Sequence, residues 1–190
     1  MKKEDIIVLP NPSLRQKSKK VSFVDDSVKE LIDNMVSATL DWEENRNHEI
    51  GVALAAVQIN DLRRVVIIKE NFDDKTKKEY HIYINPKVIK YMGKIEEDFE
   101  GCLSVSDMYG KVPRYTKVKV EAQDLEGNTI RVTAEGFLAR IFQHEIDHTN
   151  GKLFVDHIKD KEDNFYKLKE DGQLEQLDYE KDVKQSNIFR

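Results

Sequence analysis

The chain has 190 residues, enough for one domain with a sizeable core and too few for two ordinary ones. Hydrophobic residues make up 39% and charged residues 35%, and no apolar run approaches the ~20 residues of a membrane-spanning helix. A formal net charge of −5 argues against general affinity for nucleic acid or an anionic membrane. One cysteine rules out an intrachain disulfide, so a cytoplasmic, reducing location is expected.

The opening Met1-Lys2-Lys3-Glu4-Asp5 lacks the apolar stretch of a secretory signal, and Pro10, Asn11 and Pro12 keep residues 1–24 irregular. The basic cluster Arg15, Lys17, Lys19 and Lys20 reads as a solvated loop. Asp25 or Asp26 caps a predicted helix whose apolar face runs through Val28, Leu31, Ile32, Met35 and Leu40. That helix should end in the polar run Glu43 to Asn47. Gly51 to Gln58 is mostly small and apolar, permitting close backbone approach. Arg64 to Ile68 predicts a strand, Asn71 to Lys78 a charged turn, and Tyr80–Asn85 and Lys87–Met92 two β-prone runs around Pro86. Lys117–Ala122 and Thr129–Thr133 alternate polar and apolar about Leu125 to Asn128, the pattern of an antiparallel hairpin. Phe137 to Asn150 is strongly helical, with Phe137, Ile141, His144 and His148 on one inward face and Gly151 as a left-handed stop. The expected fold is α+β: short antiparallel sheets packed around a central helix, with a second, N-terminal helix. Residues 1–159 form the single predicted domain, and 160–190 a charged tail with at most a short helix.

His144-Glu145-Ile146-Asp147-His148 is a HExxH sequence. Residues four apart stack on one helix face, so both imidazoles can reach one divalent ion while Glu145 stands beside its open position. A hydrolytic site needs a third protein ligand. The extended pattern with a histidine six residues on fails, because that residue is Phe154, and His157 reads as a surface residue. A distant glutamate, Glu170 or Glu175, would suit a larger protease, but no second ligand-bearing helix surrounds either. Cys102 in Glu100-Gly101-Cys102-Leu103-Ser104 is the better candidate, since a dication would hold its sulfur as thiolate. A nucleophilic Cys–His pair would leave one histidine without a purpose.

Together, Gly51-Val-Ala-Leu-Ala-Ala-Val-Gln58, Glu100-Gly-Cys-Leu-Ser104 and Gln143-His-Glu-Ile-Asp-His148 resemble, in order, the three motifs of the peptide deformylases. The resemblance spans about Leu9 to His157. It implies a hydrolase that removes the formyl group from the N-terminal formyl-methionine of nascent polypeptides. It implies Cys102, His144 and His148 as metal ligands, with Glu145 as general acid/base. The Gln58 amide and the Leu103 N–H would face the developing oxyanion. Ferrous iron is implied as the cofactor, with zinc, nickel or cobalt as substitutes. The nascent chain is the implied partner; the charged tail from Asp160 matches no fixed family feature, and the ribosome or another partner could engage it; no nucleic-acid or membrane site is expected. Val52, Ala53, Gly101 and Ile141 are the expected substrate contacts.

Three positions depart from the pattern. Ala53 stands where the family usually has its second glycine, and matters either through backbone φ or through room in the groove. Arg140 occupies a position that is aliphatic in some relatives; it reads as an arginine snorkelling at the pocket rim, or as a change in preference beyond methionine. Tyr109 stands where some relatives carry arginine, so a peptide contact there does not transfer. Glu100 and Arg114 are expected to pair behind the metal loop.

Overall fold

The computed structural model describes all residues except 47, 48, 73, 187 and 190. The end of the polar run at Asn47 and part of the charged turn, at Asp73, lie outside the described residues.

Helix α1 (Asp26–Glu44) begins where its cap was expected: Asp25 is extended and its side chain accepts the N–H of Val28. Val28, Leu31, Ile32 and Met35 are buried, and the face continues through Ala38 and Thr39 rather than the half-buried Leu40. Strands β1 (Ala53–Ala55) and β2 (Val65–Lys69) pair antiparallel. β2 is buried on both faces, which is why its sequence is continuously apolar until Lys69.

The two runs around Pro86 are one strand, β3 (Tyr80–Cys102), and it pairs along most of its length with β4 (Val105–Gln123). Pro86 does not break it, because a register shift between Ile84 and Lys87 absorbs the extra residue and Asn85 takes a left-handed φ of 54°. The predicted short sheets are therefore one seven-stranded antiparallel sheet, ordered β1-β2-β3-β4-β6-β7, where β6 is Phe165–Leu168 and β7 Leu174–Gln176, with β5 (Thr129–Glu135) on a second stretch of β4. β5 is the expected hairpin partner, turning at Gly127.

Helix α2 (Gly136–Thr149) lies on one face of β1, β2 and β4, where Ala139, Ile141, Phe142 and Ile146 meet Val66, Ile68, Val118 and Val120. α1 covers the other face, on Leu54, Val65 and Ile67. Gly151 ends α2 at φ 73°, and a side chain there would collide with the Arg15 carbonyl. Phe137 corrects the predicted inward face: it is 47% exposed and packs edge-on to Phe72, because only the turns from Ala139 onward lie over the sheet.

The described residues of the charged tail carry two short strands besides short helical turns, Glu162–Asn164 and Tyr179–Val183. β6 (Phe165–Leu168) pairs with β4 at Met108–Gly110, and β7 (Leu174–Gln176) pairs with β6. A single π-type turn, Tyr179–Val183, follows. Phe165, Val183 and Ile188 are buried with Leu14, Phe154 and Ile158 in a third apolar cluster. Their spacing has no helical or strand period, which is why it was illegible. Among the described residues, no helix is long and apolar enough to cross a membrane.

Candidate active site

The third ligand position is built by the β3–β4 hairpin. Cys102 is the last residue of β3 and pairs with Val105, so Leu103 and Ser104 form a two-residue turn that projects the sulfur toward α2. On α2, His144 and His148 lie one turn apart. The ligand atoms of Cys102, His144 and His148 all lie within 4.8 Å of one another. The His148 Nε2 is 3.2 Å from the Cys102 sulfur and 3.2 Å from the His144 Nε2. Three soft or borderline donors with one side left open fit a divalent transition metal.

The surrounding charges fit a cation as well. The His144 Nδ1 meets the Glu100 carboxylate at 2.9 Å, which leaves its Nε2 for the site. Burial opposes charge on His144, yet Cys102 and Glu100 together pull it toward the protonated form. Burial and the neighbouring His144 hold His148 neutral. Burial alone would raise the Glu100 carboxyl; the His144 hydrogen bond and the Arg114 charge overcome it and hold it well below the usual range. The expected pair is present, with Arg114 Nε donating to Glu100 at 2.9 Å and Arg114 Nη1 to Asp147 at 2.5 Å. His157 is at the surface, as expected, and meets Asp147 at 2.7 Å.

Glu145 is buried and one carboxylate oxygen has no hydrogen-bond partner among the described residues. Burial is the main cause that lifts its pKa to about 7, with Glu100 adding to the shift and His144 opposing it. Such a group can take and return a proton near neutrality. Gln58 comes from the turn after β1. Its side-chain oxygen accepts the Ala55 N–H at 2.8 Å, which orients the NH2 toward Ser104 Oγ at 3.2 Å and the Cys102 sulfur at 3.6 Å.

A cavity of about 400 Å³ opens over these groups. Gln58, Cys102, Leu103, His144 and Glu145 all line it, and so do the four expected substrate contacts Val52, Ala53, Gly101 and Ile141. His148 lies beneath, fully buried. Ala53 is part of β1 and is not among the residues with left-handed φ, so its methyl acts through room rather than strain. Sequence reasoning missed Trp42, Ile50, Phe72 and Phe99, which add apolar wall, and Glu49, whose carboxylate accepts the Tyr109 hydroxyl at 2.5 Å. Phe72 stood in a segment read only as a charged turn and Phe99 beyond the last predicted β-prone run, and nothing local marked either. Arg140 also corrects the sequence reading. It does not snorkel; it is 7% exposed, and its guanidinium is turned into the protein on Glu100 and backbone carbonyls.

Comparison with known proteins adds a name to this geometry. The sequence model of the family described as polypeptide deformylase matches residues 3–164. The peptide deformylase of Pseudomonas aeruginosa is 40% identical over 154 residues, covering 81% of this chain and 86% of that protein. That of Brachyspira hyodysenteriae is 39% identical over 157 residues, covering 82% and 80%. Among solved structures, a Synechococcus elongatus peptide deformylase in complex with actinonin superposes with a TM-score of 0.73 at 35% identity, covering 82% of this chain and 80% of that one. A Legionella pneumophila peptide deformylase does so with a TM-score of 0.70 at 40% identity, covering 80% and 83%.

Proposed function

We infer the chemistry of this site from the family to which the chain belongs, the polypeptide deformylases. It is a metal-dependent hydrolase that removes the formyl group from the N-terminal formyl-methionine of new polypeptides, releasing formate. The roles of individual residues are our proposal. One observation carries it: three converging ligand atoms lie at an apolar cavity beside a buried carboxylate, one oxygen of which has no hydrogen-bond partner among the described residues.

Cys102, His144 and His148 would hold the ion. Bound there, a divalent ion supplies Lewis acidity, making water nucleophilic near neutral pH and polarising the formyl carbonyl. Ferrous iron is the ion expected for the family, and zinc, nickel or cobalt suit the same donors, since two imidazoles and a thiolate do not choose among them. Glu145 accepts the proton of the attacking water and returns it to the methionine nitrogen as the C–N bond breaks. Gln58 Nε2, fixed through its own carbonyl by Ala55, donates to the carbonyl oxygen as negative charge develops there. The Leu103 backbone N–H in the hairpin turn is the second donor.

Val52 and Ile141, with Phe72 and Phe137 nearby, offer an apolar wall for the methionine side chain. Ala53 and Gly101 flank the path of the following peptide. The test is formate release from a formyl-methionyl tripeptide by protein purified anaerobically with iron. Glu145→Gln should keep the metal and lose turnover by ~10²-fold or more, whereas Cys102→Ser should lose the metal. Unchanged turnover in the first, or undiminished metal in the second, refutes the corresponding role.

A further inference from the structure

We propose that Arg140 is a positioning residue of the metal centre, acting through Glu100 on His144. This rests on the reading of Cys102, His144 and His148 as the ligands. Arg140 stands one turn before His144 on α2, and its guanidinium engages acceptors from distant parts of the chain. It donates to Glu100 Oε1 at 2.8 Å and to the carbonyls of Val112 at 2.8 Å, Glu96 at 2.9 Å and Asp98 at 3.3 Å. Glu96, Asp98 and Glu100 are alternate residues of β3, the strand that ends in Cys102, and Val112 belongs to β4. One buried cation thus ties the helix bearing two ligands to the strand bearing the third.

Glu100 is where this tie reaches the site. Its Oε1 receives Arg140 and Arg114 Nε, while its Oε2 receives Arg114 Nη2 at 3.1 Å and faces His144 Nδ1 at 2.9 Å. Four contacts fill the carboxylate and leave it one orientation. The His144 ring is oriented by that carboxylate, and its Nε2 follows. Take Arg140 away and Oε1 keeps a single donor, Arg114, whose Nη1 is drawn the other way by Asp147. Glu100 is then held by Arg114 and His144 alone, without the tie to the first turns of α2, so the carboxylate can shift and the ring with it. A purely structural Arg140 would lower stability and leave ion binding unchanged.

The experiment measures Zn2+ affinity of the full chain by competition with a chromophoric chelator, alongside the thermal midpoint and the absorption spectrum of the Co2+-loaded protein. Arg140→Gln loses the reach to Glu100 and should bind Zn2+ about tenfold more weakly, with shifted Co2+ bands. Arg140→Lys keeps a cation for Glu100 but cannot span the carbonyls. It should hold Zn2+ within about threefold of the parent while its thermal midpoint falls. In a Glu100→Gln background, Arg140→Gln should change Zn2+ affinity less than about twofold, the coupling expected when one residue acts through the other. Parental Zn2+ affinity in Arg140→Gln, or an equal loss in both backgrounds, overturns the proposal. Should Arg140→Gln fail to fold, Arg140→Leu replaces it, the position being aliphatic in some relatives: a loss of Zn2+ affinity of about tenfold supports the proposal, and parental affinity overturns it. A parent that binds no Zn2+ would instead sink the ligand assignment itself.

Discussion

Lys69→Met tests how the wall of the cavity is held. Lys69 Nζ lies 3.0 Å from both oxygens of Glu43, with side chains 0% and 6% exposed. The same carboxylate accepts the Gly51 N–H at 3.1 Å, and the Tyr80 hydroxyl donates to the Gly51 carbonyl at 3.2 Å. Gly51 fits because a side chain there would sit 2.6 Å from the Thr39 methyl. The last turn of α1, the end of β2 and the entry to Val52 and Ala53 are thereby joined at one buried point.

Methionine matches lysine in length, so the substitution removes charge with little change in volume. It leaves Glu43 buried with one neutral donor. Two charge-assisted hydrogen bonds of ~1.5–3 kcal/mol each are lost, partly offset by burial of a more apolar chain. The result agrees with the ~3–5 kcal/mol typical of breaking one side of a buried pair. For a domain of this size the thermal midpoint should fall by roughly 6–20 °C. Urea unfolding at fixed metal concentration measures the loss. KM for a formyl-methionyl peptide should rise while kcat is largely kept, since Gly51 borders the wall rather than the reacting groups. Adding Glu43→Leu should recover most of the stability, because an apolar pair removes the stranded charge. A loss under ~1 kcal/mol in Lys69→Met, or no recovery in the double variant, refutes the reasoning.

Three further outcomes follow from the same structure. Gln58→Ala should lower kcat by ~10²–10³-fold with the metal retained; a purely packing role would show in stability and not in turnover. Phe165→Ala should cost ~3–5 kcal/mol in urea unfolding although Phe165 lies just beyond the family match, and a change under 1 kcal/mol would mean that the tail is not part of the core. Ala53→Gly, which restores the residue usual in the family, should destabilise β1 by ~0.5–1 kcal/mol, because φ there is already ordinary; a gain in stability would contradict that backbone reading.

What the sequence revealed and what it hid divide along physical lines. The histidine pair, its glutamate and the helix carrying them were readable because helical period is local and the motif needs only five residues. Cys102 was reached by elimination once Phe154 closed the alternative. Arg140 was misread because its acceptors come from Glu96, Asp98 and Val112, more than twenty-five residues away in sequence, and no local pattern announces such a site. Proline at 86 looked like a break because a bulge in the opposing register is invisible in one strand. The tail looked solvated because its buried residues, Phe165, Val183 and Ile188, are scattered among charges.

The placement of the thiol carries a consequence for oxidative damage. Cys102 is the only cysteine in this chain and borders the cavity, so its sulfur meets what enters there. A sulfenic acid formed on it has no second thiol in the chain with which to condense. Recovery therefore depends on a thiol from outside that can enter the cavity, and further oxidation to the sulfinic state would irreversibly remove the thiolate that the proposed ligand set needs.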